Sequence, residues 1–262
     1  MSVLSGKGAL VTGGSRGIGR AIVERLTGDG AEVVFCYERS AEAAQQLAKE
    51  TGAHAVQADL GSKDDLERLF AEAEARLPGV DILVNNGATP EAQKLIADLT
   101  DEDYERVFAV NTRAVLRAIQ WAARVMRDGG RIVNVSTLNT QVPAPTLALY
   151  CASKGAVEQL AKVAARELGP RGITVNVVSP GATDTDMLRG ANPPEALERT
   201  PAMTALQRLG RPDDIAAVVA FLVGPDGRWV TGQNVLATGG LLVDNRSGVG
   251  LAHPGCARPG WP

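Results

Sequence analysis

Thr12-Gly13-Gly14-Ser15-Arg16-Gly17-Ile18-Gly19 is the stretch that decides how this chain is read. An apolar run at 8–12 leads into it and a helical pattern at 17–26 leads out. Gly13, Gly17 and Gly19 are spaced GxxxGxG. Glycines at such a point allow a tight turn and a close approach of backbone to a pyrophosphate. The helix N-terminus then aims its N–H groups at that anion. Ser15, Arg16 and Ile18 lie in the same loop and belong to the same candidate site. A merely flexible glycine turn is the plainer reading, and the strand-to-helix placement argues against it.

The rest of the chain keeps the rhythm. Apolar runs at 32–36, 53–57, 81–84, 131–135, 173–177 and 234–238 read as further strands. Helical stretches at 41–50, 62–76, 101–127, 147–168 and 213–222 alternate with them. Ser62 caps the helix at 62–76, with Asp64 and Asp65 in its first turn; Thr100 heads the helix at 101–127 and Pro212 starts that at 213–222. This alternation predicts repeated βαβ units. The expected fold is α/β: a doubly wound (Rossmann) parallel seven-stranded sheet, helices on both faces, one domain over 1–243. Two stretches break the rhythm. Residues 182–205 carry Pro193, Pro194, Pro201, Met187, Leu188 and Met203 and read as a substrate lid. The tail at 244–262 has Gly and Pro but little periodicity, which fits disorder or an arm at a subunit interface.

Composition narrows the function. Hydrophobic residues make up 45% and charged residues 22%, an ordinary balance for a soluble globular protein. A net charge of −3 gives no reason to expect nucleic acid or an anionic membrane as partner. Cys36, Cys151 and Cys256 are an odd, widely spaced set without CxxC, which suits reduced thiols in the cytoplasm and no metal. His54 and His253 have no partners at metal-ligand spacing. No apolar run reaches the ~18 residues of a membrane span, and no secretory leader is expected.

The second strand ends in Cys36-Tyr37, followed by Glu38-Arg39-Ser40. An acid at the strand end would bind a ribose 2′-hydroxyl and select NAD. Tyr37 stands there instead. Arg16 and Arg39, with Ser40, suit a 2′-phosphate, so NADP (as NADPH) is favoured over NAD. Glu38 would serve as the acid if the register moved by one, and Arg39 also reads as a solvated charge. Asp59 can accept from an adenine amino group while Leu60 packs on the ring; an N-cap is its other reading. Asn86, Gly87 and Ala88 end the fourth strand, where small residues let the backbone pass close to a cofactor and asparagines can brace strands. Tyr150 and Lys154 share one face of a helix. A nearby ammonium would bring a phenol of pKa about 10 toward the working range. Alone, that spacing is a weak signal.

Taken together, these residues resemble the short-chain dehydrogenase/reductase family over 7–240. The resemblance rests on residues 12–19, Asp59, residues 85–88, Asn111, Tyr150 with Lys154, Pro180-Gly181, residues 209–212, Thr231-Gly232-Gln233 and Gly239-Gly240. The fourth-strand motif of that family is usually Asn-Asn-Ala-Gly; here the last two are exchanged as Gly87-Ala88. The resemblance implies hydride transfer between a nicotinamide and a carbonyl or alcohol. It makes Tyr150 the general acid in reduction, with Lys154 lowering its pKa and holding the nicotinamide ribose, and Asn111 placing a relay water. Pro180, Gly181, Thr183 and Thr185 would line the nicotinamide amide and phosphates. The polarising hydroxyl falls on Thr137, thirteen residues before Tyr150, by ungapped family spacing; Ser136 would point to the other side of the strand. A one-residue insertion in the intervening loop would return the role to Ser136.

Within the family the chain is similar to 3-oxoacyl-carrier-protein reductases and to reductases of polyketide metabolism. That implies an NADPH-dependent ketoreductase acting on a small-molecule carbonyl compound, free or carrier-protein-bound. The alternatives are an NAD-dependent alcohol or sugar dehydrogenase, or a catalytically inactive nucleotide-binding regulator. Ala-rich helices at 101–127 and 147–168 imply, by the same resemblance, a homotetramer.

Overall fold

The computed structural model describes residues 2–90 and 93–241; the expectations for the tail at 244–262, for His253 and for Cys256 lie outside the described residues. Seven strands form one parallel sheet in the order β3-β2-β1-β4-β5-β6-β7. They are β1 (Gly8–Val11), β2 (Glu32–Tyr37), β3 (His54–Gln57), β4 (Val80–Asn85), β5 (Met126–Val135), β6 (Thr174–Pro180) and β7 (Asn234–Ala237). The chain starts in the middle, winds out to β3, returns to β4 beside β1 and winds out again to β7. That reversal opens a crevice at the carboxyl ends of β1 and β4, where doubly wound sheets take their ligands.

Side chains alternate across the strands and build two cores. Leu10, Val34, Leu83 and Ile132 face α3 (Lys63–Arg76), α5 (Ala114–Val125) and α6 (Ala148–Leu168). Val11, Phe35, Val84 and Val133 face α1 (Gly17–Gly28), α2 (Ala41–Thr51) and α9 (Pro212–Val223). Each such fully buried side chain contributes about 1.5–3 kcal/mol. Ser62 caps α3 by accepting from the Asp65 N–H at 3.3 Å. Thr100 and Asp103 cap α4 (Asp101–Phe108) reciprocally.

Two elements differ from the sequence expectation. The helix expected over 101–127 is interrupted: α4 passes through a π turn, Ala109–Arg113, before α5 begins. It also stops at Val125, because Met126 pairs with Val80 in the sheet and β5 therefore starts early. The region 182–205 is less irregular than expected. It holds two short helices, α7 (Asp186–Ala191) and α8 (Pro194–Arg199), and a 3₁₀ turn, Thr200–Met203. Gln93 donates to the Ala191 oxygen at 2.7 Å and ties this segment to the loop after β4.

Candidate active site

The candidate residues lie in the segments that follow the strands at the carboxyl edge of the sheet and in the helices beside them. The glycine loop follows β1. Gly13 has φ +66°, and a methyl there would meet Gly87 Cα at 2.7 Å; a methyl on Gly19 would meet the Gly13 oxygen at 2.0 Å. The loop is therefore built around missing side chains. Arg16, exposed, is the N-cap residue of α1 and supplies no side-chain cap, and the first turn carries no acid. The N–H groups of that turn remain available to an anion. Ser15 is buried under the turn, and Ile18 packs against the core.

Thr12, which opens the glycine stretch, braces this corner. Its hydroxyl accepts from the N–H groups of Asn86 and Gly87, both at 3.0 Å. The Asn86 amide donates to the oxygens of Thr12 at 3.1 Å and Gly13 at 3.0 Å. The Asn86 side chain is thus spent on bracing the loop. Gly87 lets Leu60 come close, since a methyl there would lie 2.4 Å from Leu60 Cδ1. Ala88 continues the same half-buried edge. Asp59 accepts from the Gly61 N–H at 2.7 Å, a tight turn of its own; the α3 cap is Ser62.

Beyond β2, Tyr37 is half-buried and packs on the core. Arg39 donates to Glu38 at 2.8 Å, and both are exposed. Glu38 lies one residue past the strand end, so the two readings of this corner sit in one ion pair. Ser40 is the N-cap residue of α2 but makes no side-chain cap bond.

The chemistry-bearing residues come from β5, β6 and the helices beside them. The Thr137 hydroxyl hydrogen-bonds the Tyr150 phenol and favours its ionised form; burial outweighs this and pushes the phenol up to about 12. Ser136 turns elsewhere and donates to Glu158 at 2.8 Å. The resemblance implied a tyrosine lowered by Lys154, whereas here burial dominates. Lys154, itself buried, donates to the Val135 oxygen at 2.7 Å, and burial draws its ammonium down to about 8. Asn111 sits at the centre of the π turn, fully buried. Its amide donates to the Thr89 oxygen at 3.1 Å and the Ser153 hydroxyl at 3.2 Å, and its oxygen accepts from the Thr89 N–H at 2.9 Å.

After β6, Pro180 is buried at the strand end and Gly181 passes so close to the next strand that a methyl would lie 2.9 Å from Thr238 Cα. Thr183 donates to the Gly181 oxygen at 3.1 Å, and Thr185 caps α7 by accepting from the Leu188 N–H at 3.3 Å. Thr185 faces the glycine loop, since a methyl on Gly17 would come 3.2 Å from its Cγ2.

Behind these residues a ladder of amides locks the central strands. Asn85 donates to Asn134 at 2.8 Å, and Asn176 donates to the Val230 oxygen at 2.7 Å. Glu158 and Asn134 escaped the sequence reading because their partners lie on other elements, Ser136 just past β5 and Asn85 on β4. One signal was available: Tyr150, Lys154 and Glu158 recur at helical spacing on α6.

A family model described as "Enoyl-(Acyl carrier protein) reductase" matches residues 13–242. Among solved structures, a short chain dehydrogenase from Burkholderia cenocepacia J2315, in complex with NADP, shares 43% identity and superposes with a TM-score of 0.85, covering 91% of this chain and 99% of its own. This chain is a short-chain dehydrogenase/reductase. The angucycline C-6 ketoreductase LanV, with bound NADP, is 41% identical over 93% of this dehydrogenase/reductase and 98% of its own chain, with a TM-score of 0.85. A relative of another description, the cyclic-di-GMP-binding biofilm dispersal mediator protein of Escherichia coli, is 43% identical over 88% of this short-chain dehydrogenase/reductase and 95% of its own length.

Proposed function

We propose that this dehydrogenase/reductase is an NADPH-dependent ketoreductase in which Tyr150 gives the proton. The observation that carries the reading is the Thr137 hydroxyl on the Tyr150 phenol, four residues before the buried Lys154 on the same helix. A neutral phenol is what reduction needs, since the carbonyl oxygen must receive a proton there. Thr137 and Tyr150 together offer a carbonyl oxygen two hydroxyls at one point.

The glycine loop fits a dinucleotide on this structure's own terms: a cradle that methyl groups would fill and an uncapped helix N-terminus. Gly13, Ser15, Gly17, Ile18 and Gly19 would hold the pyrophosphate, with Gly87, Ala88, Pro180, Gly181, Thr183 and Thr185 flanking the nicotinamide half. Asp59 and Leu60 would take the adenine; Tyr37, Ser40, Arg39 and Arg16 would take the phosphorylated ribose. Asn86 would act through the loop it braces. When bound, NADPH supplies a hydride, so that a ketone plus one proton becomes an alcohol.

Lys154 then has two tasks: it binds the ribose, and its pKa near 8 lets it return a proton to Tyr150 near neutral pH. The Asn111 side chain is already committed, so a relay water there would rest on a main-chain oxygen released by the π turn. The exposed Met187, Met203 and Leu206 support a partly apolar ketone, 3-oxoacyl or polyketide-like, free or on a carrier protein. Tyr104, Leu116 and Val163 are exposed apolar residues on α4, α5 and α6 and support a homotetramer built through those helices, which light scattering would test.

The Escherichia coli relative keeps a second reading in view, a nucleotide-binding mediator. Such a role has no need of an ammonium buried as Lys154 is, which is costly to keep. The deciding test is a ketone panel with NADPH and NADH. The reading expects ketone reduction with NADPH preferred; oxidation of the matching alcohols by NAD+, measured alongside, with little ketone reduction would replace it.

A further inference from the structure

We infer that Glu158 is a positioning residue for the reductase reaction: it anchors the end of β5 so that Thr137, and not Ser136, is presented to Tyr150. This deepens the ketoreductase reading and rests on it for the kinetic part of its test. Glu158 lies on α6, one helical turn beyond Lys154 and two beyond Tyr150, and is buried. A buried carboxylate is costly unless its oxygens are satisfied. Here one oxygen meets two hydroxyls, Ser136 at 2.8 Å and Thr140 at 2.6 Å. The Lys154 ammonium is engaged elsewhere, on the Val135 oxygen.

The two hydroxyls bracket Thr137 in the chain. Ser136 precedes it and faces away from it by strand alternation. Thr140 follows it and also lies 3.0 Å from the Thr137 oxygen. Thr137 in turn caps the short turn Leu138–Thr140, its hydroxyl accepting from the Asn139 N–H at 3.2 Å. One helix thus carries both the phenol and the clamp that fixes the hydroxyl opposite it. Glu158 sets the spacing of Tyr150 and Thr137 without touching either, and it holds Ser136 out of the site.

The test compares E158Q, E158L, S136A/T140V and the triple variant E158L/S136A/T140V. Glutamine keeps an accepting oxygen, so E158Q retains most of the parental kcat. E158L and S136A/T140V each lose about 10- to 100-fold in kcat, as expected for a misplaced catalytic group, with the NADPH KM little changed. The triple variant is no slower than the slower of the two, since all three changes break the same bonds. Amide exchange at Asn139 and Thr140 speeds up in E158L and stays slow in E158Q, whether or not the protein reduces ketones. Parental kcat in E158L, losses that multiply in the triple variant, or unchanged exchange at Asn139 and Thr140 would overturn the assignment. A parent inactive on every ketone would defeat the ketoreductase reading alone, and the exchange measurement would still decide the role of Glu158.

Discussion

Lys154 Nζ lies 2.7 Å from the main-chain oxygen of Val135, and the ammonium has lost almost all contact with water. Burial lowers its pKa from 10.5 to about 8. A depressed folded-state pKa means a contribution to stability that is present above the ordinary value and lost as pH falls through the folded one. Between about pH 10 and about pH 7 the parent should therefore lose roughly 3 kcal/mol from this group. K154M lacks that dependence and should be the more stable protein at neutral pH. Urea midpoints of both proteins at the two pH values would show it; parallel pH curves would contradict it.

In the proposed reductase the same group would shape catalysis. In reduction Lys154 must carry its proton, and Tyr150, pushed up to about 12, keeps its own throughout the working range. The kcat/KM for ketone reduction should fall as pH rises through about 8, with no second basic limb below about pH 10. A profile flat to pH 10 would remove Lys154 from the proton path.

At the glycine loop, G13A must adopt a left-handed φ and drive a methyl to 2.7 Å from Gly87 Cα. The strained conformation alone costs about 1–3 kcal/mol. Because Gly87 belongs to the same corner, NADPH affinity should fall together with the melting temperature. Fluorescence titration of NADPH on G13A checks this, and parental affinity would show that the loop does not hold the dinucleotide.

The Glu38–Arg39 pair gives the cofactor preference a handle. E38Q frees the guanidinium and removes a negative charge, so the ratio of kcat/KM for NADPH over NADH should rise. R39A should lower that ratio by about 10- to 100-fold, the range of a charge-assisted hydrogen bond. Initial rates with both cofactors are the measurement, and an unchanged ratio in both variants would leave Arg39 a solvated charge.

Much of this was readable from the chain. Period and glycine placement indicated the sheet, its helices and the glycine loop after β1, because those depend on patterns local in sequence. The π turn at Asn111 was not readable, because the bonds Asn111 makes to Thr89 and Ser153 exist only in the fold. The early start of β5 depends on Met126 pairing with Val80, a tertiary preference that overrode the helical pattern before it. Thr12 and Asn86 showed only as polar residues beside glycines, and their bonds to one another exist only once β1 and β4 lie side by side. Strand alternation did separate Ser136 from Thr137, but what occupies Ser136 is Glu158, twenty-two residues later on another element.

In the proposed reductase Tyr150 and Thr137 form the proton-donating pair. The rate of NADPH-dependent reduction of an activated diketone by the parent, Y150F, T137A and S136A tests that pairing. The expected result is a loss of about 10²–10⁴-fold in Y150F, a large loss in T137A, and a smaller loss in S136A, which keeps Thr137 in place. Full turnover in T137A beside an inactive S136A, or undiminished reduction by Y150F, would contradict it.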